Sequence, residues 1–138
     1  MTTQARGTFD VKLNKVPGHD SKDGSPLARM SINKKFNGDL DATSIGEMLA
    51  AGTSVKGSAG YVAMERVTGT LNGRVGEFVF QHSATMNRGA PTLSVSVVPD
   101  SGTGQLVGLA GTLNIIIANG QHSYEFDYAV PAADSPLP

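Results

Sequence analysis

The chain contains no cysteine, which rules out a disulfide framework, a thiolate nucleophile and a Cys-type zinc site together. It also lacks a charge excess of either sign: 11 basic and 12 acidic residues leave a net charge of −1 and a pI near 6.3. Nucleic acids and anionic membranes are normally met by a clear basic excess, so neither is expected as a partner. Even the densest basic spot, Lys34-Lys35, is soon followed by Asp39 and Asp41. No run reaches membrane-spanning length, and the opening Met-Thr-Thr-Gln-Ala-Arg has no apolar core of signal-peptide length. A cytoplasmic protein is the expectation. Three histidines are present without a His-x-His or His-Glu-x-x-His set, so no metal and no cofactor is implied. The stretch Pro99-Asp-Ser-Gly-Thr-Gly104 lacks the Lys-Ser/Thr and the following helix of a phosphate loop, and reads as a flexible strand connection.

What is present is glycine, with 17 copies that separate short runs of period two. That pattern predicts an all-β chain, and 138 residues fit one domain. Phe9, Val11 and Leu13 mark a first strand, followed by a long polar segment, Asn14–Pro26, read as a mobile loop and a candidate lid. A second strand, Ala28–Phe36, turns at Asn37-Gly38 into a third, Asp41–Leu49, although Ser44–Leu49 also fits a helical turn. Thr92–Val98 gives a sixth strand and Thr112–Ala118 a seventh, and Asn119-Gly120 opens the last. The tail, residues 131–138, is rich in proline and expected to be flexible. Strands joined mainly by hairpins hide their edges by closing on themselves. The prediction is a single antiparallel eight-stranded β-barrel, with a two-sheet sandwich as the competing closure.

Strands four and five can be registered from sequence alone. Asn72-Gly73 lies between alternating hydrophobics, and both residues tolerate the positive φ of a type I′ turn. A two-residue loop pairs Leu71 with Arg74, Val67 with Phe78, Glu65 with Phe80, Ala63 with His82 and Tyr61 with Ala84. Those residues form the apolar face, and Glu65 and His82 become diagonal neighbours on it, roughly 7–8 Å apart at Cβ. The same rule at Asn119-Gly120 pairs Ile117 with His122, Ile115 with Tyr124, Leu113 with Phe126 and Gly111 with Tyr128.

The segments Gly46-Glu47-Met48, Tyr61-Val-Ala-Met-Glu-Arg-Val-Thr-Gly-Thr-Leu-Asn-Gly73, Gln81-His82-Ser83, Pro99–Gly104 and His122-Ser-Tyr-Glu-Phe-Asp-Tyr128, in that order, resemble the bacterial family catalogued as domain of unknown function 3224. The likeness runs from about Gly7 to Val130. It implies a small antiparallel barrel related in fold to allene oxide cyclase. It transfers no catalytic residue, because sites and not folds carry function.

The residues themselves suggest one site. An apolar face disfavours the charged form of Glu65 while an adjacent imidazolium favours it, and such opposing pushes poise a proton for general acid–base work. Glu65 and His82 are therefore the candidate catalytic pair. The alternative is a satisfied internal hydrogen bond that fixes strand register. Glu47, Tyr61, Phe78, Phe80, Tyr124 and Tyr128 are candidate ligand-binding residues, with Glu47 facing inward if the loop at Asn37 has two residues. His122, beside a turn, is assigned to the surface, and His19 to the polar loop. Ser83 points away from His82, which disfavours a serine hydrolase. The expected function is binding of a mainly apolar small molecule inside the barrel, with isomerase- or cyclase-type chemistry as an extension. A filled barrel serving as an interaction or self-assembly module, such as a homodimer, is the other reading.

Overall fold

The computed structural model describes residues 2–16 and 27–131. Eight strands follow in order: β1 (Thr3–Lys15), β2 (Leu27–Gly38), β3 (Leu40–Gly52), β4 (Ala59–Leu71), β5 (Arg74–Asn87), β6 (Ala90–Val97), β7 (Ala110–Ala118) and β8 (Gln121–Ala129). Each pairs antiparallel with its sequence neighbour, and β8 returns to β1, so the sheet closes into a barrel. Among the described residues the helix present is a single 3-10 turn at Gly104–Leu106, and no helix is long and apolar enough to cross a membrane.

Turn chemistry sets the registers. Asn72 and Gly73 adopt φ of 46° and 84°, and Asn119 and Gly120 adopt 53° and 76°, as a type I′ turn requires. Both hairpins carry the pairings read from sequence, including Ala63 with His82 and Ile117 with His122. A third tight turn, Arg88-Gly89 with φ of 49° and 94°, starts β6 at Ala90, two residues ahead of the expected start. Ser44–Leu49 is strand throughout.

The β2–β3 turn departs from the two-residue loop at Asn37-Gly38. Phe36 pairs with Ala42 and Lys34 with Ser44, so the hairpin pivots on Asp39. The Asp39 carboxylate accepts the Arg6 amide at 2.9 Å and its own amide donates to the Arg6 carbonyl at 3.1 Å. Those bonds to β1 hold the extra residue in the turn, and Gly38 supplies the φ of 105° that it needs. An odd loop reverses the parity of β3, because side chains alternate with period two. Ala42 and Ser44 therefore point inward, while Ile45 and Glu47 point outward. The inward placement of Glu47 is thus corrected.

One half of the barrel is filled. Phe36, Phe78, Phe80, Phe126 and Tyr124 are buried there, with Phe78 and Phe80 edge to face at 4.9 Å and Phe80 and Phe126 at 5.2 Å. The β6–β7 connection, read from sequence as a flexible link, is the plug of this end. Its Leu106 and Leu109 belong to the core cluster. It is tied to β5 by the Thr103 amide to the Glu77 carbonyl at 2.8 Å, by the Val75 amide to Gln105 Oε1 at 2.8 Å and by the Val79 amide to Ser101 Oγ at 3.0 Å. At the opposite end Asn14 and Lys15 extend β1, and the rest of the predicted lid from Pro17 to Pro26 lies outside the described residues, as does the tail beyond Pro131.

Candidate functional site

Above the filled half, four neighbouring strands each send one polar side chain inward: Lys34 from β2, Ser44 from β3, Glu65 from β4 and His82 from β5. These are the buried polar or charged residues among those described, and Glu65 is fully inaccessible to solvent. Lys34 Nζ donates to Glu65 Oε1 at 3.1 Å, and His82 Nε2 bonds the same oxygen at 2.8 Å. Ser44 Oγ donates to Oε2 at 2.5 Å. Lys34 also rests over the rings of Phe9 and Phe36, at 4.8 and 5.7 Å from their centroids, a cation–π arrangement that helps hold its charge away from water.

Local sequence makes room for this cluster. Gly46 lies opposite Glu65 across the β3–β4 ladder, and a Cβ there would fall 2.3 Å from the Met64 carbonyl oxygen and 2.8 Å from Glu65 Cα. Glycine at that position lets β3 and β4 approach at the point where the carboxylate turns inward.

The electrostatics follow from the geometry. Burial pushes the Glu65 carboxyl up, but the His82 hydrogen bond, the Lys34 charge, the Ser44 hydrogen bond and the charge on His82 together hold it below the usual carboxylate value. Glu65 is therefore an ionised acceptor with both oxygens engaged. An ionised carboxylate can only accept, so His82 Nε2 carries the proton of that bond, and in the neutral ring Nδ1 is the acceptor. Burial first, and the charge of Glu65 second, raise the Tyr61 phenol, which stays protonated at neutral pH.

Over the cluster lies a cavity of about 190 Å³ that opens toward the free end of the barrel. Lys34, His82, Tyr61 and His122 supply its polar lining, and residues such as Val11, Ile32, Met48 and Ile115 its apolar lining. Tyr61 and Leu93 also border a trough of about 490 Å³ walled by Ala50, Ala59, Ala84 and Met86, where β3 to β6 extend past the cavity. The two spaces share those residues as a common wall.

The predicted residues divide between the halves. Glu65 and His82 come together as read from sequence, and Tyr61 stands beside His82 with ring centroids 6.4 Å apart. Phe78 and Phe80 lie in the packed core, where they do not border the cavity. The Tyr124 hydroxyl accepts the Leu40 amide and donates to the Asn37 carbonyl, each at 2.9 Å, and the Tyr128 hydroxyl accepts Asn72 Nδ2 at 2.7 Å. Both phenols thus brace turns at the filled end. Glu47 is on the outer face, paired with Arg29 at 2.5 Å, and that pairing lowers its pKa. No cluster of three or more His, Cys, Asp or Glu fit for a metal occurs among the described residues.

Sequence reasoning missed three residues. Lys34 is a lysine at an apolar-phase position of Ile32-Lys34-Phe36, a signal that alternation alone carries. Ser44 was hidden by the parity of the β2–β3 turn. His122, assigned to the surface, is half-buried against Phe9 at 5.1 Å and lines the cavity, because β1 pairs with β8 at that point.

A family model described as "Protein of unknown function (DUF3224)" matches residues 5–128. The crystal structure of a protein of unknown function from that family, from Shewanella oneidensis MR-1, is 50% identical, covers 96% of this chain and 100% of its own, and superposes with a TM-score of 0.90. A comparison with curated proteins gives no match.

Proposed function

This chain belongs to the DUF3224 family, and from that premise we propose that it binds a mainly apolar small molecule in the open half of its barrel. The observation that carries the reading is the Glu65 cluster: a buried carboxylate holding Lys34 and His82 at the floor of an otherwise apolar cavity. A barrel that needed only stability would be expected to fill that space with hydrocarbon, since a buried ion pair is often no more stabilising than well-packed apolar side chains. Polar groups converging at the base of an apolar pocket are what ligand sites require.

Acid–base chemistry of the isomerase or cyclase type extends this reading. His82 is the residue placed for it, because it borders the cavity and its Nδ1 is the acceptor of the neutral ring. Glu65 does not border the cavity and acts through Lys34 and His82 as a positioning residue.

The test is titration with an uncharged, environment-sensitive fluorophore. Wild type should bind it, and Leu93→Trp, which fills the junction of cavity and trough, should not. Equal binding by both proteins, or none by the wild type, refutes the assignment.

A second reading, association of two copies, is favoured by one observation. The outer face of β3 and β4 exposes Ile45, Val62 and Met64 beside Glu47 and Arg66 of opposite sign. Such a face suits an isologous pair. Sedimentation equilibrium of wild type and Met64→Lys tests it: a dimer lost on substitution supports the pairing, and a wild-type monomer ends it.

A further inference from the structure

The floor of the cavity is richer in donors than in acceptors, with His82 Nδ1 as the acceptor nitrogen beside Lys34 and Tyr61. Glu65 is the carboxylate there, and both of its oxygens are taken by Lys34, His82 and Ser44. Lys34 brings three N–H groups and gives one to Glu65. Tyr61 lines the same cavity, and its hydroxyl has no hydrogen-bond partner among the described residues. A ligand atom that meets Lys34 and Tyr61 must therefore be an acceptor.

Charge narrows the choice further. Lys34 is already balanced by Glu65, and the two side chains are almost completely withdrawn from solvent. A carboxylate delivered beside Lys34 would stand as a second anion next to Glu65, which already balances that cation. The raised Tyr61 phenol reports the same field, because a negative charge at that spot is opposed by burial and by Glu65. An uncharged oxygen meets the donors without adding charge to a site where an unpaired ion is costly.

We infer that the ligand is an uncharged apolar carbonyl compound, a ketone or enone, whose oxygen accepts hydrogen bonds from Lys34 Nζ and the Tyr61 hydroxyl while its hydrocarbon part lies along the trough. This rests on the ligand-binding reading above and adds the chemical class to it. The trough adjoins the cavity at Tyr61 and Leu93 and is walled by Ala50, Ala59 and Ala84, small side chains that leave room for an extended chain. The donors that hold the oxygen would also stabilise an enolate, which fits acid–base chemistry at the adjacent carbon.

The experiment displaces the same fluorophore with methyl pentyl ketone, heptanoate and heptane, using wild type, Tyr61→Phe and Lys34→Met. The affinity ratio of ketone to heptane should fall about tenfold in each variant, as expected for loss of one strong hydrogen bond, with heptane itself unchanged. Tyr61→Phe removes a hydroxyl that braces nothing among the described residues, so it stays informative should Lys34→Met fail to fold. A ratio unmoved by Tyr61→Phe overturns the carbonyl assignment while leaving the apolar site standing. Heptanoate that binds wild type more tightly than the ketone at neutral pH overturns the uncharged head group. No fluorophore bound by wild type overturns both readings.

Discussion

Lys34 and His82, 48 positions apart in the chain and three strands apart around the barrel, meet on a single oxygen, Oε1 of Glu65, at 3.1 and 2.8 Å. That convergence makes three inward polar side chains one unit: removing Glu65 strands both of the others, and removing either of them takes a partner from the buried carboxylate.

The unit should therefore be non-additive in stability. Removing one member of a buried pair leaves an uncompensated charge and typically costs about 3–5 kcal/mol. Glu65→Gln and Lys34→Met should each fall in that range by urea denaturation. The double variant should lose clearly less than the sum, because the second change removes the charge that the first one stranded. Additive losses would mean that the two groups do not interact.

Stability should also fall in acid through Glu65. Its folded pKa lies below the usual value of 4.5, so its contribution is fully present above that value and is lost as pH falls through the lower folded one. Denaturation midpoints of wild type should therefore drop from about pH 5 downward, in the range where unfolded carboxyls take up protons. The drop should be shallower in Glu65→Gln. Parallel pH profiles for the two proteins would assign the acid sensitivity to other carboxylates.

Gly46→Ala is expected to destabilise by about 1–3 kcal/mol, the usual cost of overpacking, because its Cβ meets backbone atoms of Met64 and Glu65 that have no free end to swing aside. The same shift should move the imidazole resonances of His82, since Glu65 Cα is the atom displaced. Unchanged His82 signals in a destabilised variant would separate the glycine from the site.

Two tyrosines should respond oppositely to loss of the hydroxyl. Tyr124→Phe strips the Leu40 amide and the Asn37 carbonyl of their partner and should cost about 1–3 kcal/mol. Tyr61→Phe should change stability by much less, since its hydroxyl supports no protein group among the described residues. A comparable loss at Tyr61 would show that its hydroxyl is part of the framework.

Much of this barrel is legible along the chain. Asn72-Gly73 and Asn119-Gly120 each take two adjacent positive φ values, and from that local fact the pairing of two hairpins follows residue by residue, including the shared face of Glu65 and His82. The all-β class and the eight strands follow from period two and from glycine punctuation, both properties of neighbouring residues. The family resemblance rests on short segments in order, and the matching family model spans residues 5–128.

What tertiary structure decided lies where the chain is answered by a distant strand. Asp39 is held by Arg6 of β1, and that contact adds the residue that turns Glu47 outward and Ser44 inward. Closure of β8 on β1 draws His122 to Phe9 and into the cavity lining. Tyr124 and Tyr128 were legible as inward phenols, yet their partners, Leu40, Asn37 and Asn72, come from turns far along the chain. Alternation settles which side of its own strand a residue occupies. Which half of the barrel it reaches, and what it meets there, depends on register with strands that no local pattern encodes.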